Sequence, residues 1–267
     1  MARSLIFGRY CPGDSPVHRM DPRMKLTAVV VAMVVILASV SYPALAVAAA
    51  FVAAFYAIAR IPFSYALKSV APLLFIVVLT ALLNLFFVQG GEVYLQLGPL
   101  AISQEGVHFA VFLSLRLTLL LFAASLLTLT TTALVLTDAL EAMLNPFARF
   151  GFPAHEFAMV MGIALRFLPQ FADELRIIRC AQRSRGAKIT ATPFKGGLSG
   201  LSSLMVPLFT SAFRHAETLS AGMDARCYHG GAGRTRLVPL AFSRLDAVGA
   251  CVMVLMAACV VAANMLL

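Results

Sequence analysis

The sequence predicts an all-α integral membrane protein, and three observations support that prediction. Hydrophobic residues make up 61% of the 267 residues and charged residues 12%, whereas a soluble domain is about half apolar and about a quarter charged. Several apolar stretches approach the roughly 20 residues that a helix needs to cross a bilayer. Basic residues outnumber acidic ones by 21 to 12, as is typical of proteins with basic cytoplasmic loops.

About five transmembrane helices are expected from the apolar stretches. A membrane-spanning strand would need only about 10 residues of alternating polarity, so these longer uniform stretches favour helices. The predicted spans are residues 26–42, 44–59, 70–88, 106–131 and 246–267.

Two further stretches, 157–165 and 196–213, are also apolar enough to be considered as membrane spans. The distribution of basic residues argues against both. With a cytoplasmic N-terminus and five spans, the external loops at 42–43 and 89–105 contain no Lys or Arg. A membrane hairpin through the two further stretches would break the positive-inside rule. It would place six basic residues outside: Arg176, Arg179, Arg183, Arg185, Lys188 and Lys195.

The sequence therefore predicts a cytoplasmic segment built from amphipathic helices. The expected organisation is a cytoplasmic arm over 1–25, four transmembrane helices over 26–132, a cytoplasmic helical domain over 133–245 and a last transmembrane helix over 246–267. In the third part, apolar residues recur at three- and four-residue spacing through 157–178 and again through 201–223. Such one-sided helices are expected to pack on each other, on the membrane surface or on a partner.

The two long helices are expected to end alike, in Arg183-Ser184-Arg185-Gly186 and in Asp224-Ala225-Arg226-Cys227. One interpretation is that Arg185 and Arg226 favour the helix dipole, which contributes about 0.3–1 kcal/mol. The other is that two similar helix ends bind two similar sites on a pair of homologous subunits. The sequence pattern leaves both interpretations open.

Catalytic motifs are absent from the sequence. The chain contains no G-x-x-x-x-G-K-[ST] loop, no H-E-x-x-H and no G-x-S-x-G. The five cysteines and five histidines show no ligand spacing, so no metal is expected, and the missing phosphate-binding loop means that no nucleotide cofactor is expected. Basic cytoplasmic loops account for most of the positive charge, so no nucleic-acid partner is expected. The acidic residues of the cytoplasmic segment are interpreted as solvated helix faces; they are Asp138, Glu141, Asp173 and Glu174.

Arg116 lies within the fourth predicted span, where a charge costs at least about 2.5–3.5 kcal/mol. It is interpreted either as a residue that packs inside the bundle or as a contact on a subunit interface or ion path.

Several sequence motifs occur in the same order as in the transmembrane T component of energy-coupling factor (ECF) transporters. The chain therefore resembles that family, the EcfT/CbiQ-like family. The resemblance covers nearly the whole chain. It is carried by Gly8-Arg9-Tyr10, Pro12-Gly13-Asp14-Ser15-Pro16, Asp21-Pro22-Arg23-Met24-Lys25-Leu26, Thr128-Leu129-Thr130-Thr131-Thr132, Ala164-Leu165-Arg166-Phe167-Leu168-Pro169, Ala181 to Ala187, Met223 to Tyr228 and Gly233-Arg234-Thr235-Arg236.

The resemblance implies a non-catalytic subunit in the cell membrane of a prokaryote, with a platform of long cytoplasmic coupling helices. Arg185 and Arg226 would dock into two ABC-type ATPase subunits, which bind the ATP, with Ser184, Gly186, Ala225 and Cys227 beside them. ATP-driven motion would pass to a small membrane S component for vitamin or micronutrient uptake. Ser184 replaces the family's Ala, and Cys227 replaces a Gly at a cost of roughly 1–2 kcal/mol if the backbone there is left-handed.

Two other functions remain open from the residues alone. A self-contained secondary transporter or channel would need comparable membrane repeats and several intramembrane polar groups, of which Arg116 is the clear example. A membrane-embedded enzyme would need a nucleophile and base, or paired acids, near the bilayer surface.

Overall fold

The computed structural model describes residues 11–88, 90, 92–97, 100–146, 153–186, 197–230 and 242–265. The prediction of an all-α membrane protein is confirmed, with one added pair of short strands. The elements in chain order are α1 Pro16–Arg19, α2 Pro22–Ala38, α3 Tyr42–Ala59, α4 Phe63–Phe87, β1 Val93–Leu97, β2 Leu100–Ser103, α5 Gln104–Thr130, α6 Ala133–Leu144, α7 Ala154–Ser184, α8 Gly197–Asp224 and α9 Arg244–Met265.

The chain forms two compact units. The bundle unit comprises the described residues of Gly8–Leu140 and Val238–Leu267, and the α7–α8 unit comprises those of Glu141–Leu237.

Four of the described helices are long and apolar enough to cross a membrane: α3, α4, α5 and α9. Helix α2, the first predicted span, has 17 residues, which is about 25 Å of helix against a hydrocarbon core of about 30 Å. A fifth span therefore stays a prediction. Of the described helices, α7 and α8 are not candidate membrane spans, although residues 197–213 of α8 carry no charge.

Two helix boundaries differ from those expected. Helix α2 ends at Ala38 rather than at residue 42, and α3 then begins with Pro43 in its first turn, where the missing N–H of proline costs no hydrogen bond. Helix α4 begins at Phe63 rather than residue 70, so Lys68 lies on a helix. A long side chain near a helix end can bury its stem and keep its charge in the polar layer, which hydropathy alone does not detect.

The bundle core lies between α2, α3, α5 and α9. One cluster packs Ile36 of α2 against Ala44, Ala48 and Val52 of α3, together with Ala123 of α5 and Val260 of α9. Small alanine side chains allow membrane helices to approach closely, because association in lipid depends on packing. The Tyr56 hydroxyl adds a polar contact between α3 and α5 by donating to the Phe122 carbonyl, 2.9 Å away.

The segment before α2 packs onto one end of the bundle, called the arm end here. The Cys11 amide donates to the Leu129 carbonyl of α5 at 2.9 Å, and Val17 joins Ala59 and Leu129 in a buried cluster. The Asp246 carboxylate of α9 accepts a hydrogen bond from the Asp21 amide at 2.8 Å. These contacts fix the start of α9 against the segment between α1 and α2.

An antiparallel pair of strands, β1 and β2, occupies part of the predicted external loop 89–105. Ser103 joins this pair to the helices, because its hydroxyl donates to the Val88 carbonyl at 3.0 Å and accepts from the Gly106 amide at 3.1 Å. Gly106 is required here, since a Cβ would lie 2.7 Å from the Val88 oxygen. The strand pair was not predicted from the sequence.

Arg116 lies on α5 and bonds to the end of α2. Its guanidinium donates to the Ser39 carbonyl and lies 4.7 Å from the centre of the Phe112 ring. A cation at the C-terminus of a helix is favoured by the exposed carbonyls there. These contacts favour the packing interpretation of Arg116 over an ion path.

Candidate functional site

The α7–α8 unit is held together by apolar packing and by a polar contact at its centre. The carboxylate of Glu174 on α7 accepts a hydrogen bond from the Ser211 hydroxyl of α8 at 2.7 Å, and its other oxygen lies 2.5 Å from Nε2 of His215. The His215 ring stacks on Phe167 with centroids 5.8 Å apart. The two helices are therefore fixed to each other by a half-buried aromatic contact with a polar pair beside it.

The interpretation of Glu141 and Glu174 as parts of solvated helix faces was wrong. Glu141 lies 3.1 Å from Nδ1 of His155 and only 16% of its side chain is exposed, and Glu174 bonds to α8. The hydrogen bond from His215, followed by the one from Ser211, lowers the pKa of the Glu174 carboxyl. A signal for this pair existed in the sequence, because His215 falls on the apolar face of its helix. A polar residue on an apolar face usually has a partner on the facing element.

The contacts show that α7 and α8 run antiparallel. Glu174 contacts Ser211, whereas Met159 and Ile163 near the start of α7 share a cavity with Met223 near the end of α8. The C-terminal ends of the two helices therefore lie at opposite ends of the unit. At 1.5 Å per residue, the two ends are on the order of 40 Å apart along the helix axes.

Both helix ends close with the same type of cap. At the end of α7, the Gly186 amide donates to the Arg183 carbonyl at 3.0 Å. At the end of α8, the Cys227 amide donates to the Asp224 carbonyl at 2.9 Å, and the Tyr228 amide donates to the Met223 carbonyl at 3.1 Å. The α8 pair of bonds forms a complete Schellman motif, and the α7 bond is the equivalent of its inner bond.

The backbone angles confirm the match between the two caps. The residue after each arginine is left-handed, with φ of 81° at Gly186 and 54° at Cys227. Arg185 and Arg226 therefore occupy the same position, the last residue before the left-handed turn. Because Cys227 has a Cβ, its conformation costs roughly 1–2 kcal/mol that a glycine would not incur.

All six predicted docking residues lie at these two ends and are exposed: Ser184, Arg185, Gly186, Ala225, Arg226 and Cys227. Neither Arg185 nor Arg226 forms an ion pair with another residue that the structure describes. The structure therefore presents two exposed arginine tips, termed the α7 tip (184–186) and the α8 tip (225–227).

The surroundings of the α8 tip are partly apolar. Arg226 lies on the rim of a cavity of about 460 Å³ whose walls include Met159, Ile163 and Met223. Methionine side chains adapt their shape readily, so such a surface suits contact with another protein.

Comparison with known proteins identifies the family of this chain. The sequence profile of the CbiQ family, described as cobalt transport protein, matches residues 13–237. The chain belongs to this family. Curated relatives share the name energy-coupling factor transporter transmembrane protein EcfT. The protein from Thermosediminibacter oceani is 41% identical over 244 residues, which cover 91% of this chain and 92% of the relative.

Two further EcfT relatives show a similar extent of likeness. The protein from Heliobacterium modesticaldum is 43% identical over 251 residues, 92% of each chain. The protein from Bacillus subtilis is 37% identical over 246 residues, covering 92% of this chain and 93% of the relative. The resemblance to the T component of ECF transporters is thereby confirmed, and the EcfT-like chain is a membrane protein of the transporter class.

Proposed function

We propose that this EcfT-like chain is the coupling subunit of an ATP-driven importer in a prokaryotic cell membrane. Two ABC-type ATPase subunits bind and hydrolyse ATP, and this chain, which binds no cofactor, transmits their motion to a small S component that captures a vitamin or another micronutrient. The observation that carries the proposal is the pair of matched tips. Two exposed arginines occupy one cap position at opposite ends of an antiparallel helix pair.

The chemistry of the tips suits docking. An exposed guanidinium presents several donors in a rigid fork that fits a carboxylate with two hydrogen bonds. The helix dipole favours the cation at each tip but contributes only about 0.3–1 kcal/mol. Dipole capping requires only a cation somewhere in the last turn. Docking to a pair of homologous partners requires the arginine to occupy the same cap position in both helices, as Arg185 and Arg226 do.

An exposed apolar stripe on α8 supports contact with a further membrane partner. Val206, Phe209 and Phe213 lie at helical spacing and are 66%, 60% and 69% exposed. Leaving such side chains in water forgoes about 25 cal/mol for each Å² of apolar surface. We propose that this stripe meets the S component.

Charge supports the proposed orientation, with the N-terminus and the α7–α8 unit in the cytoplasm. The short segments on that side carry Arg19, Arg23, Arg60 and Lys68, whereas the loop 89–105 contains no Lys or Arg, and short basic loops stay on the cytoplasmic side. Helix α5 then ends on the cytoplasmic side, so the segment that leads into the α7–α8 unit begins there. A cysteine substituted for Gln96 in the β1–β2 segment is expected to react with an impermeant thiol reagent from outside, and Cys180 of α7 is not.

The docking proposal is tested by the double variant Arg185→Ala with Arg226→Ala in the assembled transporter. Truncating one partner of a buried interfacial charge pair costs about 2–5 kcal/mol. Both losses together should weaken ATPase capture by more than about a thousandfold and abolish uptake, while the protein still inserts in the membrane. Co-purification of the ATPase chains with a tagged copy measures the effect.

The matched control is Arg179→Ala with Arg214→Ala, which removes two exposed arginines from the same helices away from the tips. It should leave ATPase capture unchanged. If the tip variant still captured the ATPase subunits fully and supported uptake, both tip arginines would act only as helix caps, and the proposal would be refuted.

A further inference from the structure

Helix α7 is interrupted by a proline near its middle. Pro169 lies inside the helix, and because proline has no backbone N–H it cannot donate to the carbonyl of Leu165, four residues earlier. The proline ring also crowds that carbonyl, so an interior proline is a point at which a helix bends easily. Pro169 divides α7 into a first half, residues 154–168, and a second half, residues 170–184.

The second half of α7 is joined directly to α8. The side-chain nitrogen of Gln170 lies 3.1 Å from Nε2 of His215, and the Glu174 carboxylate accepts the hydrogen bond from the Ser211 hydroxyl at 2.7 Å. The half of α7 that carries the α7 tip is therefore fixed to the half of α8 that carries the α8 tip.

The first half of α7 borders two cavities on the side of α8. A cavity of about 310 Å³ is lined by Phe167 of α7 and by residues of α8 and its tip, from His215 to Arg226. The cavity of about 460 Å³ is lined by Met159 and Ile163 of α7 and by the same end of α8. Protein interiors are normally close-packed, so this space leaves room for the first half of α7 to move towards α8.

Two glycines lie in the same two segments. Gly162 is in the first half of α7, and Gly222 lines the smaller cavity near the end of α8. A Cβ at either position would have no neighbour within 4 Å among the residues that the structure describes. Glycine permits a close approach of backbones, so both positions allow a closer contact than the one present here.

The first half of α7 connects α6 to the end of α8. The start of α7 is held to α6, because Nδ1 of His155 lies 3.1 Å from the carboxylate of Glu141. Helix α6 contains the boundary between the two units of the chain. At the other side, both cavities border Arg226 of the α8 tip. A movement of this half of α7 therefore changes the position of α6 relative to the α8 tip.

We propose that Pro169 is a hinge, and that the first half of α7 closes onto the end of α8 when docked ATPase subunits bind ATP. Closure fills the two cavities and buries the apolar side chains of Met159, Ile163 and Met223, which favours the closed state. The inference rests on the proposed ATPase docking for its trigger, whereas the hinge is a property of this chain alone.

The hinge is tested by disulfide trapping in the full chain, purified in mild detergent. Met159→Cys with Met223→Cys places one thiol on each helix beside the larger cavity. The background has Cys227 replaced by glycine and the other four natural cysteines by alanine. A disulfide requires Cα atoms about 4.4–6.8 Å apart, so the rate of oxidation by a mild oxidant measures closure.

Pro169→Ala restores a backbone hydrogen bond that must then break before α7 bends. Oxidation should therefore slow by about fivefold, the factor that corresponds to one net hydrogen bond. Alanine favours the helix, so unfolding does not explain a slower reaction. The matched control is Pro207→Ala, which removes the interior proline of α8 from a position before the α8 residues that line the cavities. It should leave the rate unchanged.

The trigger is tested with the same cysteine pair in the assembled transporter, with and without ATP and Mg²⁺. Oxidation should be several-fold faster with ATP, and Pro169→Ala should lose most of this acceleration while capturing the ATPase subunits normally. An oxidation rate that does not respond to ATP would overturn closure as the coupling movement.

Two results in the chain alone would overturn the hinge. One is an equal oxidation rate in Pro169→Ala and in the unaltered background, and the other is an equal slowing in Pro169→Ala and Pro207→Ala. These measurements involve no ATPase, so they decide the hinge even if the tip variant shows that the docking proposal is wrong.

Discussion

At the end of α7 the left-handed cap position holds Gly186, and at the end of α8 the same position holds Cys227. The arginine before it, the hydrogen bond from its amide and the exposure of the tip are alike in the two helices. The conformation persists at Cys227 although a Cβ disfavours it there. The left-handed backbone conformation of the tip is therefore retained whether or not glycine, the residue that adopts it most easily, occupies the position.

The comparison predicts first that the two arginines contribute equally to docking. Arg185→Ala alone and Arg226→Ala alone should each weaken ATPase capture by about 2–5 kcal/mol, because each removes one guanidinium from an equivalent position. Titration of the ATPase subunits onto the immobilised chain measures both losses. A loss at one tip with none at the other would show that the shared cap geometry does not reflect a shared role.

The second prediction concerns the glycine of the α7 tip. Gly186→Ala should destabilise the last turn of α7 by roughly 1–2 kcal/mol, because alanine resists the left-handed conformation. The space around Gly186 is open, since a Cβ at this position would have no neighbour within 4 Å among the residues that the structure describes, so the backbone alone causes the effect. Faster deuterium exchange of the amides in residues 181–186 measures it, and unchanged exchange would contradict it.

The third prediction is the opposite change at the α8 tip. Cys227→Gly should stabilise the cap by about 0.5–1 kcal/mol, since relief of the left-handed strain is partly offset by the greater entropy of glycine when unfolded. Slower exchange of the Cys227 and Tyr228 amides measures the gain, with Cys180→Gly in the body of α7 as a destabilising control. A loss of protection in Cys227→Gly would show that the cysteine side chain itself stabilises the tip.

The contrast between the tips and the rest of the chain shows what sequence can predict. Apolar runs predicted the long helices closely, except that α4 begins seven residues before its predicted start. The motifs around Arg185 and Arg226 predicted the tips. Both signals are local in the sequence. The strand pair β1–β2 and the Glu174–His215 contact were missed, because each depends on a partner brought near by folding. The contact of Arg116 with Ser39 was left open for the same reason, since the two residues lie on different helices.

The smallest expected effect distinguishes the centre of the α7–α8 unit from its tips, because it depends on pH. The pKa of Glu174 in the folded protein lies below its ordinary value of 4.5. Its stabilising contribution is therefore fully present above about pH 4.5 and is lost as the pH falls through the lowered pKa.

Glu174→Gln removes that titration and keeps the shape of the side chain. Deuterium exchange of the central amides of α7 and α8, measured from about pH 6 to about pH 3 and corrected for intrinsic exchange rates, should show the unaltered protein losing more protection than the variant. The exposed carboxylate of Asp173 provides the control, because Asp173→Asn should follow the unaltered protein. Identical pH profiles for the unaltered protein and Glu174→Gln would mean that the contact between α7 and α8 depends on apolar packing alone. In that case the stacked rings of Phe167 and His215, rather than the carboxylate, would set the distance between the two tips.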